Sequence, residues 1–252
     1  MTVTRIAVTA GEPRAHVALS IGALAPRLVS RDSRRAHVAV AAAGMVLLGG
    51  DHVQVEIDVG AGCTLEIQDV GGTVAYRGSP SSWVVKIRVG ADATLLWDGL
   101  PFVVTDGADV ERRSSITLEA GARTVIRETL VLGRHGERGG RLVSALSVSD
   151  GDGPILIERL EAHGTAPEPG VLGANRVHDA VCALGFRPSI HPNDLEFERA
   201  GALARHLSDH THGSPLDPVW EAWVTDAARR DSQLLPSIPT GHPTLHITEG
   251  PR

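Results

Sequence analysis

Apolar and polar residues alternate along much of the chain between residues 52 and 160, and a period of two is typical of β-strands. In residues 52–59 every second position is valine or isoleucine, and polar side chains lie between them. The alternation returns in residues 63–68, 83–89, 116–119, 142–148 and 155–160. A strand of this kind buries one face and exposes the other, so the pattern predicts half-buried β-sheets.

A short sequence motif that is rich in small residues recurs at a fixed interval between these strands. The sequence VGAGCTL at residues 59–65 returns as VGADATL at 89–95, and a looser copy occupies residues 119–125. Each copy joins one alternating run to the next. A strand–turn–strand unit buries its apolar face only by stacking on its neighbours. The spacing therefore predicts a mostly β, stacked-strand, β-helix-like scaffold, with three ordinary hairpins of similar turn chemistry as the alternative.

The strand rhythm breaks near residue 164. Residues 164–173 are rich in glycine and proline, and three later segments have apolar residues at helical spacing, namely 175–184, 197–207 and 218–228. We therefore expect a β-strand repeat scaffold over residues 1–164 and a C-terminal helical region packed on it over 165–230, giving a few C-terminal α-helices. The proline-rich residues 231–252 are expected to form a disordered tail.

Composition narrows the range of functions. The 252 residues are 42% hydrophobic but only 3% aromatic, so the core must be aliphatic. The net charge of −6 and the lack of a basic patch argue against nucleic acid as a partner. The longest apolar run, at residues 38–48, is shorter than the roughly 20 residues that span a membrane. The first 19 residues contain no apolar signal region, so the cytoplasm is the expected location.

Two glycine-rich strings flank the repeats. LLGGD at residues 47–51 precedes the first copy, and Glu128 followed by LGRHGERGG at 132–140 comes after the third. Paired glycines beside a charged residue mark either a strand-end turn or a close approach to a ligand or partner.

With these strings in order, the chain resembles the urease accessory protein family called UreD, or UreH in some organisms. The resemblance also rests on Tyr76-Arg77, on LWDGLP at residues 96–101 and on SPLDPVWEAW at 214–223, and it spans roughly residues 10–225. Two departures stand out: QDV at residues 68–70 replaces the family's Thr-Thr-Gln segment, and Val74 stands where a lysine is usual.

The resemblance implies a non-catalytic chaperone for assembly of the urease metallocentre. Such a scaffold binds apo-urease and an F-type accessory protein, which recruits the nickel-carrying GTPase. It implies a polar route along which nickel passes to the urease site, with no tightly bound cofactor and only transient Ni²⁺.

Four isolated carboxylates are the candidate nickel contacts: Asp51, Asp69, Glu128 and Glu137. Ni²⁺ binds carboxylate, imidazole and water, and a tight site needs several convergent ligands. Isolated carboxylates hold an ion weakly, which suits transfer better than storage. Taken singly, each is better explained as a solvated turn residue.

Four further residues are candidates for partner binding: Arg134, His135, Trp220 and Trp223. Tryptophan is enriched at the centre of protein interfaces, although it is equally natural as a core anchor for a terminal helix.

Other polar groups have simpler explanations. His206 and His210, four residues apart in a group with His212, could share a helix face and bind metal weakly, although a solvated helix end explains them better. Arg112-Arg113 and Arg229-Arg230 are expected to be solvated charge pairs. Cys63 and Cys182 form no metal-type pair, and a disulfide between them stays open.

Enzyme signatures are absent: the chain has no Gly-x-Ser-x-Gly, Walker or His-Glu-x-x-His motif. The main alternative function is a carbohydrate-binding or carbohydrate-active β-solenoid, which would need ladders of exposed aromatics from one Tyr, three Phe and four Trp. Glu119 and Glu128, nine residues apart across a turn, could face each other as a catalytic carboxylate pair. A small metal-dependent hydrolase is a third possibility.

Overall fold

The computed structural model describes residues 2–229, which form seventeen strands and one helix. The elements are β1 (Thr4–Thr9), β2 (His16–Ser20), β3 (Leu24–Arg31), β4 (Arg35–Ala42), β5 (His52–Val59), β6 (Thr64–Asp69), β7 (Thr73–Ala75), β8 (Ser81–Val89), β9 (Thr94–Asp98), β10 (Phe102–Val104), β11 (Asp109–Leu118), β12 (Arg123–Leu132), β13 (Arg141–Asp150), β14 (Gly153–His163), β15 (Val177–Leu184), β16 (Leu195–Glu196), β17 (Gly201–Ser208) and α1 (Asp217–Arg229).

Two sheets enclose the core. Sheet A has the strand order β14-β13-β11-β8-β5-β1-β2, and sheet B has the order β16-β17-β15-β12-β9-β6-β4-β3, with β7 and β10 paired beside the end of β12. The inner strands of both sheets run parallel, and antiparallel strands close both ends of each sheet. From β4 to β13 the chain passes repeatedly from one sheet to the other and so winds in stacked coils, which confirms the predicted fold class.

The repeat in the sequence is the length of one coil. Val55 pairs with Val85 and Leu65 pairs with Leu95, and both pairs are 30 residues apart. The repeated turns stack as well, because the Gly62 amide donates to the Ala91 carbonyl at 2.8 Å. Gly62 has φ +64°, a left-handed conformation that glycine adopts without steric cost. The turn chemistry therefore recurs because the turns share one backbone shape.

Two of the three predicted helices are wrong. Residues 175–184 and 197–207 contain β15 and β17, adjacent strands of sheet B. One face of β15 and of the first four residues of β17 packs in the core, and the other face packs in the second apolar cluster, which includes α1. An apolar run buried on both faces satisfies helical spacing as easily as strand spacing.

The third predicted helix, at residues 218–228, is confirmed as α1. It packs on the outer face of sheet B through Trp223 and Ala227, which contact a second apolar cluster that includes Val125 and Val181. Within residues 2–229 no helix is both long enough and apolar enough to cross a membrane. The predicted tail at 231–252 lies outside the described residues.

Candidate functional site

Three paired residues on neighbouring strands of sheet A show the core changing from apolar to charged. Val53 of β5 pairs with Trp83 of β8, and Trp83 pairs with Arg112 of β11. Arg112 thus points inward at the position where earlier coils place apolar side chains, and it is only 7% exposed. The expectation that Arg112 is solvated is wrong, whereas the adjacent Arg113 side chain is exposed.

Arg112 crosses the interior to Glu128 of β12. Its Nη2 lies 2.6 Å from Glu128 Oε1, which joins sheet A to sheet B. The guanidinium also stacks over the ring of Phe102 at 4.4 Å from the centroid, a favourable cation–π arrangement. Its Nε and Nη1 atoms are buried and have no hydrogen-bond partner in the described part of the chain. One contact therefore holds this arginine to its carboxylate.

A second ion pair spans the sheets nearby. Glu158 of β14 lies 2.5 Å from Arg205 of β17, and this pair is about one third exposed. His178 of β15 is affected electrostatically by Arg205, Glu128 and Glu158, which places it within reach of both ion pairs. Burial, with the charge of Arg205, lowers the pKa of His178, so the neutral imidazole predominates.

Cys182 lies two residues beyond Ala180 on the same inward face of β15. Burial raises the pKa of its thiol to about 12, so the sulfur stays protonated at neutral pH. Cys63 is also free and buried, in the apolar core.

A cavity of about 120 Å³ lies between the sheets, enough for several water molecules. Its polar lining includes Asp69, Arg112, Glu128, Glu158 and His178. The His178 Nδ1 atom is buried and has no hydrogen-bond partner within residues 2–229. The cavity therefore combines carboxylates with an available imidazole nitrogen, a donor set that suits a divalent transition metal.

A second cavity adjoins the first. Asp69 and Trp97 line both of them, and the outer cavity is also lined by the exposed residues Met45 and Tyr76. Asp69 accepts hydrogen bonds from Trp97 Nε1 at 3.0 Å and from the Leu100 amide at 3.1 Å. Burial raises the pKa of Asp69, and these two hydrogen bonds oppose that rise. Asp69 thus stands at the junction between an exposed rim and the interior.

The four predicted nickel contacts do not all come together. Asp69 and Glu128 line one cavity, whereas Asp51 caps its own turn by accepting from the Leu48 amide at 3.0 Å. Glu137 accepts from the backbone and side chain of Arg134, and these bonds lower its pKa to about 2. Among the described residues no group of three or more His, Cys, Asp or Glu side chains is arranged to hold a metal ion.

The predicted partner residues also separate. Arg134 and His135 are exposed on the loop between β12 and β13, and the Arg134 guanidinium lies 5.9 Å from the Tyr76 ring centroid. Trp223 is only 1% exposed, and its indole donates to the Ser189 carbonyl at 2.7 Å. Trp220 is half-buried, so it is the tryptophan of α1 that a partner can reach.

A polar network that the sequence did not reveal attaches α1 to sheet B. Arg127 donates two hydrogen bonds to Asp179, at 3.1 and 2.8 Å, and lies 2.7 Å from Asp217 at the start of α1. Thr129 and Ser214 donate to the same Asp179 carboxylate. This network lies on the outer face of the sheet and has a structural role.

The remaining polar candidates are peripheral. His206 lies on β17, and the rings of His210 and His212 stack at 5.4 Å, so the three share no helix face. Glu119 pairs with Arg88 at 2.6 Å on the outer surface and does not face Glu128. Among the exposed large hydrophobic residues in the described part of the chain, Tyr76 is the one aromatic, so no aromatic ladder for sugar binding is present there.

Sequence reasoning missed Arg112, Glu158, His178 and Cys182 as members of the interior group. A signal for Arg112 was available, because it follows Trp83 by 29 residues, close to the repeat length, and so takes an inward position in the next coil. Glu158 and His178 lie on antiparallel strands beyond the repeat, where the period gives no guide.

Comparison with known proteins identifies the family. Residues 20–226 match the family model described as UreD urease accessory protein. The chain is 39% identical over 236 residues to urease accessory protein UreD 1 of Streptomyces griseus, covering 88% of this chain and 92% of that protein. It is 34% identical over 221 residues to urease accessory protein UreD of Streptomyces avermitilis, covering 85% and 83%. These relatives bear the names of accessory proteins, not of catalytic enzymes. The chain belongs to the UreD urease accessory protein family.

Proposed function

We propose that this protein is a urease maturation scaffold that binds apo-urease and an F-type accessory protein and passes Ni²⁺ through the cavity between its two sheets. Family membership supports a role in urease maturation. The observation that carries the nickel route is that Asp69 and Glu128, two of the four carboxylates predicted from sequence, line one cavity.

In this proposal Ni²⁺ is cargo and no tightly bound cofactor is needed. The ion enters past the outer cavity, where Asp69 is the first carboxylate that it meets. Glu128, Glu158 and the neutral His178 offer further ligands deeper inside. Carboxylate and imidazole exchange with the water ligands of Ni²⁺, so a series of such groups permits stepwise movement.

One proposed docking surface lies on the outer face of sheet B, and the other borders the outer cavity, which Tyr76 lines. The C-terminal helix, with half-buried Trp220, is the proposed site for the F-type protein, which would bring the nickel-carrying GTPase indirectly. The exposed loop with Arg134 and His135 is a second candidate surface. Tryptophan and arginine are the residues that most often anchor protein interfaces.

Complementation tests the proposal. The chain is co-expressed with a urease operon that lacks its own D-type gene, and urea hydrolysis and urease nickel content are measured. We expect the wild-type chain to restore both, and Asp69→Asn or Glu128→Gln to lower nickel content while apo-urease still copurifies. Asp51→Asn is the matched control, since it removes a carboxylate charge outside the cavity and keeps an acceptor for the Leu48 amide. Equal nickel content in all three variants would refute the route.

A further inference from the structure

The carboxylates of the cavity are not equivalent, because each inner one already has a cation. Glu128 pairs with Arg112 and Glu158 pairs with Arg205, and both pairs bridge the two sheets. Asp69 is held by two neutral donors, Trp97 and the Leu100 amide. Each inner pair joins one positive and one negative side chain, so the charges within it cancel.

We propose that Arg112 and Arg205 set the metal affinity of the inner cavity, because an entering divalent cation must displace an arginine to bind Glu128 or Glu158. This inference rests on the proposed function for the identity of the cargo. A site that binds by exchanging one cation for another is weak, and it releases its ion readily because the tethered guanidinium returns to the carboxylate.

The geometry of Arg112 permits this exchange. Its guanidinium makes a single close contact with Glu128 and leaves Nε and Nη1 without partners in the described structure. Arg127 provides the contrast: two of its nitrogens hold Asp179, and a third lies against Asp217. Two parallel hydrogen bonds to one carboxylate hold the Arg127 guanidinium in a fixed orientation. The Arg112 guanidinium has a single contact, so it can leave its carboxylate by breaking that contact alone.

The surroundings of Arg112 also accommodate a displaced side chain. The guanidinium lies over the Phe102 ring, a contact that does not depend on Glu128. The adjoining space of about 120 Å³ is large enough for water molecules, which can bond to the freed nitrogens. Buried polar groups left unpartnered inside a cavity, on both Arg112 and His178, indicate an interior arranged for an exchangeable occupant.

The test measures Ni²⁺ binding by the untagged, full-length chain, using equilibrium dialysis with metal analysis and stopped-flow release to a chelator. We expect Arg112→Gln to bind Ni²⁺ about tenfold more tightly than wild type and to release it more slowly. Arg112→Lys should remain weak, because it keeps the competing charge. Arg113→Gln, on the exposed face of the same strand, is the matched control and should match wild type.

Two further variants keep the test decisive. Arg112→Gln combined with Glu128→Gln should return to weak binding, which assigns the gain to that carboxylate. Arg205→Gln removes the more exposed ion pair and should also tighten binding, so it serves if Arg112→Gln does not fold. Wild-type affinity in folded Arg112→Gln and Arg205→Gln would overturn the inference.

The outcome is separable from that of the proposed function. Metal binding is measured on the isolated chain, whereas the function is measured by urease activation. If the wild-type chain restores urease activity but both arginine variants bind Ni²⁺ with wild-type affinity, only the arginine mechanism is refuted. If the two variants bind Ni²⁺ more tightly but the wild-type chain does not restore urease activity, only the proposed role in urease maturation is refuted.

Discussion

The first and last coils of this molecule share the same two sheets but have opposite interiors. In β5, β6 and β8 most inward positions are aliphatic, and side chains such as Val55 and Leu65 are 1% and 0% exposed. Between β11, β12, β14 and β17 the corresponding space holds two ion pairs and a cavity, which reaches back as far as Asp69 of β6 and Trp83 of β8. The comparison indicates that the apolar first coils provide most of the stability of the fold. In the last coils, polar side chains replace part of the apolar core.

Leu65→Ala should have the largest effect on stability, because it opens a cavity in the apolar coils. We expect a loss of about 2–5 kcal/mol in the free energy of unfolding. Leu146→Ala, in the wall of the existing cavity, should cost less, about 1–2 kcal/mol, because Leu146 is only partly buried. Urea unfolding of both variants checks the difference, and equal losses would contradict the division of the core.

Trp223→Ala should detach the C-terminal helix from sheet B. Its indole fills the second apolar cluster and donates to Ser189, so we expect a loss of about 3 kcal/mol. Trp220→Ala should change stability by less than about 1 kcal/mol and weaken binding of the F-type protein instead. Calorimetry and pull-down measure the two effects. A stable Trp223→Ala variant would mean that the helix is held mainly by the Arg127 network.

Glu128→Gln should destabilise the chain by about 1–3 kcal/mol, because it leaves the Arg112 charge buried without its partner. The figure is below that for a fully buried pair, since Glu128 is about one third exposed. Combining it with Arg112→Gln should recover much of this loss. A double-mutant cycle of unfolding free energies tests the coupling, and additive losses would show that the pair is uncoupled.

His178 should give the smallest effect, seen as a pH dependence. Its pKa is lowered in the folded state from the ordinary value of 6.5. Below pH 6.5 the unfolded chain therefore binds more protons than the folded chain, and stability falls as the pH falls towards the folded pKa. Above pH 6.5 the contribution is constant. His178→Gln should flatten this part of the stability profile, and an unchanged slope would exclude His178 as its source.

The sequence predicts the strands of the first coils correctly but not those of the last coils. The 30-residue period places Val59 beside Val89 and so predicts the stacking of both sheets. It fails beyond residue 164, where β15 and the first half of β17 are buried on both faces and lose the alternation that identifies strands. Asp69 and Glu128 were found from their place beside strand ends and motifs, whereas the grouping of Glu158 with His178 depends on antiparallel pairings that no local pattern encodes.

The central claim is that nickel passes through the cavity between the sheets, and filling that cavity tests it most directly. Ala180, Ser144 and Leu146 all line the cavity. The substitution Ala180→Phe would fill part of the cavity without changing any charge. Ala180→Ser is the matched control. With folding verified by unfolding curves, we predict that urease coexpressed with the Phe variant retains its contact with the scaffold but contains far less nickel than with the Ser variant. Equal nickel content with the two variants would contradict the account.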